Sequence, residues 1–121
     1  MTLKGGDVSS DCIFCKIING DIPAKLLYED ADVLAFDDIN PQAPTHILVI
    51  PRNHIPGPAA LTEADQALTG KLVKRATDLA AKAGLKDGFR LVMNNGEQAG
   101  QTVLHLHLHV LGGRAMSWPP G

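Results

Sequence analysis

The chain has 121 residues, of which 45% are hydrophobic but only 4% aromatic; that suffices for one domain with a core built mainly from aliphatic side chains. A net charge of -2 and a pI near 6.2, with basic residues scattered or gathered on one helix, argue against a protein that holds nucleic acid through its phosphates. No apolar run approaches the length of a membrane span, and a domain this small gains from a metal or a partner subunit.

Residues 1–11 read as a disordered arm of Gly, Ser and Asp without apolar periodicity. The arm also lacks the apolar stretch of a secretory signal, which favours a reducing cytoplasm where two cysteines serve as thiols or metal ligands. The ordered domain spans 12–121. "CIFCKIINGDIPAK" opens it with a short apolar-periodic piece ending at "NGDIP". "LLYED" and "VLAFDD" read as two short strands joined by a turn, and "DINPQAP" as a loop steered by its prolines. "HILVIP" reads as a strand buried on both faces and closed by Pro51.

The segment "TEADQALTGKLVKRATDLAAKAG" predicts the one long helix. Thr62 caps it with Asp65 three residues on, Leu68, Leu72, Ala76, Leu79 and Ala83 form its apolar stripe, and Gly84 ends it. "FRLVMN" and "VLHLHLHVL" then predict two strands flanking the Gly-rich loop "NGEQAGQT". Hairpin-length links make pairing mostly antiparallel, so the expected class is α+β: about five strands with one long helix packed on them.

"HLHLHVL" carries the chemistry. On a strand, His105, His107 and His109 share one face at about 6.6 Å intervals, while Leu104, Leu106, Leu108 and Val110 face the core. Three readings compete: a half-exposed strand that happens to be histidine-rich, a metal site made of the three, and a catalytic row with one imidazole as nucleophile or base. The "CIFC" pair is equally open. A redox role calls for a helix start after a strand in a thioredoxin-like unit, and a metal role calls for two further ligands.

The form His-φ-His-φ-His-φ-φ, with φ apolar, resembles the signature of the histidine triad proteins. "CIFCKIINGDIPAKLLYED", "VLAFDDINPQAPTHILVIPRNHI", "GFRLVMNNG" and "LGGRAMSWPPG" extend the likeness over about residues 12–121. They resemble the histidine triad nucleotide-binding branch, the nucleoside phosphoramidases. The resemblance implies a homodimer whose sheets join. It also implies hydrolysis of P–N bonds in purine nucleoside 5′-phosphoramidates through a nucleotidyl-histidine, with no metal needed for the chemistry. Rival readings are a dinucleoside polyphosphate hydrolase, as in the sister branch, a non-catalytic purine nucleotide sensor or scaffold, and a metal carrier using the histidine row.

By the same resemblance His107 is the nucleophile, its second ring nitrogen bound to a main-chain carbonyl, and His109 donates to a phosphate oxygen. Thr102, where close relatives carry serine, contacts phosphate or helps protonate the departing amine. Gly100 lets phosphate approach the backbone, the Gln101 and Thr102 amides donate to it, and Asn94 binds phosphate and the leaving-group side. Asp38 accepts from the ribose hydroxyls; Asp37, which faces the other way if the strand continues, is counted with the nucleotide-binding residues at the edge of the base pocket, where many relatives carry histidine. Ile13, Phe14, Ile17, Phe36 and Ile39 form a base slot with little hydrogen-bond discrimination among purines. Relatives with such a cysteine pair bind structural zinc, which implies Cys12, Cys15, His54 and His105 here. His46 supports the triad, and Trp118 either reaches the partner's site or latches the tail.

Overall fold

Alternating apolar residues build a five-stranded antiparallel sheet, seen here in a computed structural model that describes residues 11–121. The expected arm, Asp11 apart, lies outside the described residues. A short helix, α1 (Ile13–Ile18), comes first, then β1 (Leu26–Glu29), β2 (Val33–Asp37) and β3 (Thr45–Pro51). The long helix α2 (Gln66–Lys82) separates these from β4 (Phe89–Val92) and β5 (Leu108–Gly112). The sheet order is β1-β2-β3-β5-β4, every neighbouring pair antiparallel. The expected α+β class holds. Among the described residues no helix is long and apolar enough to cross a membrane.

Because successive side chains point to opposite faces, the sheet has two covers. Val33, Ala35, Ile47, Val49, Leu108 and Val110 pack under α2, against Leu72, Ala76, Leu79 and Ala80. Leu34, Phe36, Leu48 and Ile50 pack on the other side against Phe14, Cys15 and Ile18 of α1. Strand β3 is buried on both faces, as its near-continuous apolar run requires.

The start of α2 is tighter than expected. Thr62–Asp65 closes as the anticipated box, the Thr62 N–H donating to the Asp65 carboxylate at 2.8 Å, but Glu63–Asp65 is a 3-10 turn and α-geometry begins at Gln66. At the other end Gly84 takes φ +80, and the Leu85 N–H reaches back to the Ala80 carbonyl at 3.0 Å, a Schellman closure that needs a left-handed residue. This closure leaves Ala83 exposed, so Ala80 rather than Ala83 completes the buried stripe.

The last strand is shorter than predicted. In the β3–β5 register Val49 faces Leu108, so Pro51 would face Leu106 two residues on. Proline has no N–H to donate, and the ladder stops there. Residues 103–105 bend instead, the Leu106 N–H bonds to the Ile55 carbonyl at 2.6 Å, and Leu104 turns outward, 63% exposed. Leu106, Leu108 and Val110 keep their place in the core.

Candidate active site

Cross-strand neighbours in an antiparallel pair share a face. Leu26, Phe36, Leu48, His109 and Val92 are successive partners across the sheet, which sets His109 on the α1 side. His46, two residues before Leu48 on β3, shares that side. Although the ladder ends at Leu108, His107 and His105 also face α1: the Phe14 ring stands edge-on to both, at centroid distances of 5.2 and 5.8 Å. His107 and His109 are 4.9 Å apart between centroids.

Backbone partners assign the proton on each ring, because a carbonyl only accepts and an amide N–H only donates. The His105 carbonyl lies 2.7 Å from His107 Nδ1, so Nδ1 carries the hydrogen and Nε2 holds the lone pair. The Pro51 carbonyl lies 2.9 Å from His105 Nε2, which leaves the lone pair of His105 on Nδ1. The Gln42 N–H donates to His46 Nδ1 at 3.0 Å, so His46 is protonated at Nε2 and donates to His109 Nδ1, 2.8 Å away. His109 must then carry its own hydrogen on Nε2. That nitrogen is buried without a partner among the described residues, a donor held ready for something in the cleft. Burial, chiefly, and then the neighbouring His107 and His46 push the His109 pKa down to about 4. Burial lowers His46 too, against the opposing pull of Asp38. Both rings are neutral near pH 7.

His107 and His109 line a cleft of about 540 Å³ between α1, the segment Ile22–Lys25, the end of β2 and the loop before β5. Its wall includes the expected Ile13, Phe14, Ile17, Phe36 and Ile39, with Asp38 and Thr102 on its margin. Ile39 is a rim residue, 97% exposed rather than enclosed. Asp37, expected to face away, lines the cleft beside Asp38; β2 ends at Asp37, and alternation lapses where the ladder stops. One oxygen of Asp38 accepts from the Asn40 N–H at 2.9 Å, and the other lies 3.4 Å from His46 Nε2. Ile22, Pro23, Ala24, Lys25, Leu48 and Val103 complete the lining. Sequence reasoning missed them, since only Leu48, on the Phe36 row of the sheet, carried a readable signal.

The loop before the triad departs from expectation. The Gln101 N–H is already given to the Gly96 carbonyl at 3.1 Å, so it is not a phosphate donor. The Gln101 side chain is buried instead, accepting from the Gly96 N–H at 2.8 Å and donating to the carbonyls of Pro56 (2.6 Å) and Val103 (3.1 Å). Gly100 adopts φ +90 with open space where a side chain would start, so its glycine serves the turn as well as any approach of a ligand. Asn94 sits half-buried after β4, and is not among the residues lining the cleft.

Behind this cleft Cys12, Cys15, His54 and His105 bring four donor atoms within 4.8 Å of one another. Cys12 Sγ is 3.4 Å and Cys15 Sγ 3.5 Å from His105 Nδ1, and Cys15 Sγ is 3.2 Å from His54 Nδ1. A tetrahedral zinc with its usual bond lengths spaces sulfur and nitrogen ligands about 3.6 Å apart. The His105 lone pair points inward, and its Nε2–H is tied to the Pro51 carbonyl as a metal ligand's second nitrogen usually is. Burial, chiefly, holds the His105 pKa down to about 4, so the ring is available as a neutral ligand. These residues fit a closed Cys₂His₂ zinc site. Asp38, His46 and His109 also cluster, but the Gln42 N–H occupies His46 Nδ1 and forces the proton onto Nε2, which suits a hydrogen-bond chain and not a cation.

Comparison with known proteins decides the family. The model of the HIT domain matches residues 19–116. The chain belongs to the HIT domain family. An uncharacterized HIT-like protein of Synechocystis is 55% identical over 94% of this chain and all of that protein. Among solved structures, a HIT family hydrolase of Legionella pneumophila is 50% identical, with a TM-score of 0.90 over 92% of this chain and 100% of that one. A histidine triad nucleotide-binding protein of Candida albicans is 31% identical, with a TM-score of 0.77 over 90% of this HIT chain and 83% of its own. The Trp118 side chain of the present HIT domain is 82% exposed, on a tail held to β4 by Arg90 Nη2 donating to the Ser117 carbonyl at 2.8 Å.

Proposed function

We propose that this HIT-domain protein is a nucleotide hydrolase that cleaves the P–N bond of purine nucleoside 5′-phosphoramidates, with His107 as nucleophile. The observation that carries the reading is the hydrogen bond from His107 Nδ1 to the His105 carbonyl, which leaves an unprotonated Nε2 on a ring that lines the cleft. In the first step that nitrogen attacks the α-phosphorus. The P–N bond breaks, its electron pair leaves with nitrogen, and the amine departs with one proton from the Thr102 hydroxyl or solvent, which the attacking water of the second step gives back. In the second step water attacks the same phosphorus, the His107–phosphorus bond breaks, and the nucleoside monophosphate leaves.

The buried Nε2–H of His109 supplies a hydrogen bond to a phosphate oxygen, and the chain from the Gln42 amide through His46 keeps that proton on the outward nitrogen. The Thr102 hydroxyl, at the margin of the cleft, serves the phosphate or the departing amine. The Asp38 carboxylate receives the ribose hydroxyls. The apolar wall of Ile13, Phe14, Ile17, Phe36 and Ile39 takes the base by stacking and burial, without hydrogen bonds that would separate adenine from guanine. Cys12, Cys15, His54 and His105 would hold a structural zinc that takes no part in the displacement. A homodimer belongs to the same reading, with exposed Phe89 at the β4 edge and Trp118 on the tail as contacts.

Steady-state hydrolysis of adenosine 5′-phosphoramidate by the wild type and by His107→Ala tests the proposal. Turnover by the wild type and its loss in the variant, with a trapped adenylyl group on His107, are expected. An active His107→Ala protein ends the mechanism. Faster turnover of a dinucleoside polyphosphate than of the phosphoramidate moves the substrate assignment to the sister chemistry, and light scattering checks the dimer.

A further inference from the structure

The Cys₂His₂ centre and the cleft share three structural members. The first is α1 with its N-cap: Cys12, the N-cap, and Cys15 face the centre, while Ile13, Phe14 and Ile17 of the six-residue helix line the cleft. The second is His105, whose ring offers Nδ1 to the cysteine sulfurs and whose carbonyl holds the Nδ1–H of His107. The third is the segment around His54. The Ile55 carbonyl accepts from the Leu106 N–H at 2.6 Å, and the Pro56 carbonyl accepts from the Gln101 carboxamide at 2.6 Å. Gly57 is packed so closely that a methyl group there would stand 2.8 Å from Asn95 Oδ1 and 3.2 Å from Gln101 Oε1.

A helix of six residues does not hold its shape alone. Here it is anchored by burial of Phe14, Cys15 and Ile18 and by what ties Cys15 and the N-cap Cys12 to His54 and His105. Those ties connect to the wall of the cleft, to the carbonyl that orients the nucleophile, and to the carbonyl that fixes the loop carrying Thr102.

We infer that Cys12, Cys15 and His54 are positioning residues for the reaction at His107, and that metal at their centre and nucleotide in the cleft bind with positive coupling. The inference rests on the nucleotide-cleft reading above. Zinc uptake displaces one proton from each cysteine thiol, and the resulting thiolates and the two imidazoles close the tetrahedron. The cleft is then presented preformed, and the nucleotide no longer bears the cost of ordering α1 and the loop. Linkage makes the effect reciprocal: bound nucleotide tightens zinc by the same factor by which zinc tightens nucleotide.

The experiment uses the full chain, AMP as the cleft probe and zinc alone as the metal probe. AMP affinity is measured by calorimetry on zinc-loaded and chelator-stripped protein, with circular dichroism confirming that both are folded. Zinc affinity is measured by chelator competition with and without saturating AMP. The expected result is at least about a fivefold gain in each affinity, with equal factors. Imidazole ¹H–¹⁵N spectra should show the His107 Nδ1–H signal weakening on stripping, a change that a merely stabilising metal does not produce. In Gln101→Leu zinc should still bind one to one, with the coupling factor reduced; a stripped wild type that unfolds overturns the positioning role, since zinc then merely folds the chain. Equal AMP affinities in two folded forms, or an undiminished factor in Gln101→Leu, overturn the coupling while the cleft reading stands. Failure of AMP to bind either form overturns both.

Discussion

The two faces of the sheet are built from one alternating sequence and have opposite contents. On the α2 side Val33, Ala35, Val49, Leu72, Ala76, Ala80, Leu106 and Val110 are wholly buried and purely apolar. On the α1 side the same strands present His46 and His109, and the chain beyond the ladder adds His105 and His107, beside two cysteines. Apolar burial needs no particular partner, whereas a buried imidazole requires one for nearly every nitrogen. One face can therefore lose a side chain and cost stability alone. The other couples each side chain to the protonation of its neighbour.

Changes on each face test that division. The largest effect is expected on the α1 side: His107→Ala lowers phosphoramidate turnover by at least about 10³-fold, with little change in melting temperature. A large drop in melting temperature would mean that this ring belongs to the core after all. Across the sheet, Leu72→Ala removes a fully buried side chain and should cost about 3 kcal/mol in denaturant unfolding. Under conditions where the variant is folded, its kcat should match the wild type. A fall in kcat there would show that the faces are not separable.

Acid sharpens the comparison. His109 has a folded pKa of about 4 against an ordinary 6.5, so the unfolded chain binds the extra proton first. Its contribution is fully present above pH 6.5 and is lost as pH falls toward 4, about 2 kcal/mol in all after allowance for its partly open position. His109→Gln should flatten the fall in stability through that window, measured against wild type. At lower pH a different group takes over. Burial alone would raise the Asp30 pKa, but the Tyr28 hydroxyl, the Asp32 and Val33 amides and the Lys71 ammonium together hold it far below the usual carboxylate range. Its share of stability is therefore whole above the ordinary carboxylate pKa and is lost only as pH falls below it, after the His109 window has closed.

Two smaller effects complete the series. Asp38→Asn should raise KM about tenfold at nearly constant kcat, since a neutral amide accepts from a ribose diol less strongly than a carboxylate does. Lys71→Ala removes partly exposed ion pairs to Asp30 and Asp32 at 3.0 and 2.9 Å and should lower the melting temperature by only about a degree or two. A drop of more than about 8 °C would mark the Asp30 cluster as part of the core.

What the sequence determined by itself was local and periodic. The 3.6-residue stripe of α2 and the alternation of β2 and β3 were legible because they depend on neighbours a few positions away. So was the grouping of His105, His107 and His109 on one side of the chain. The cysteine pair and the triad pattern were legible as residue types, and the family likeness supplied their partners. The tertiary structure decided the rest. Pro51 cut β5 short because the register set it opposite Leu106, and no local pattern shows which residue a proline will face. Gln101 turned its amide inward for the same kind of reason: the carbonyls of Gly96 and Pro56 were near in space. The protonated nitrogen of His46, His105, His107 and His109 likewise depends on which group folding brings to the ring: the Gln42 N–H, the Pro51 carbonyl, the His105 carbonyl and the His46 ring in turn. Hydrogen-bond partners are set by three-dimensional proximity, and that is why the family likeness could suggest roles for these imidazoles while the proton on each of His46, His105 and His109 could be read only once the chain was folded.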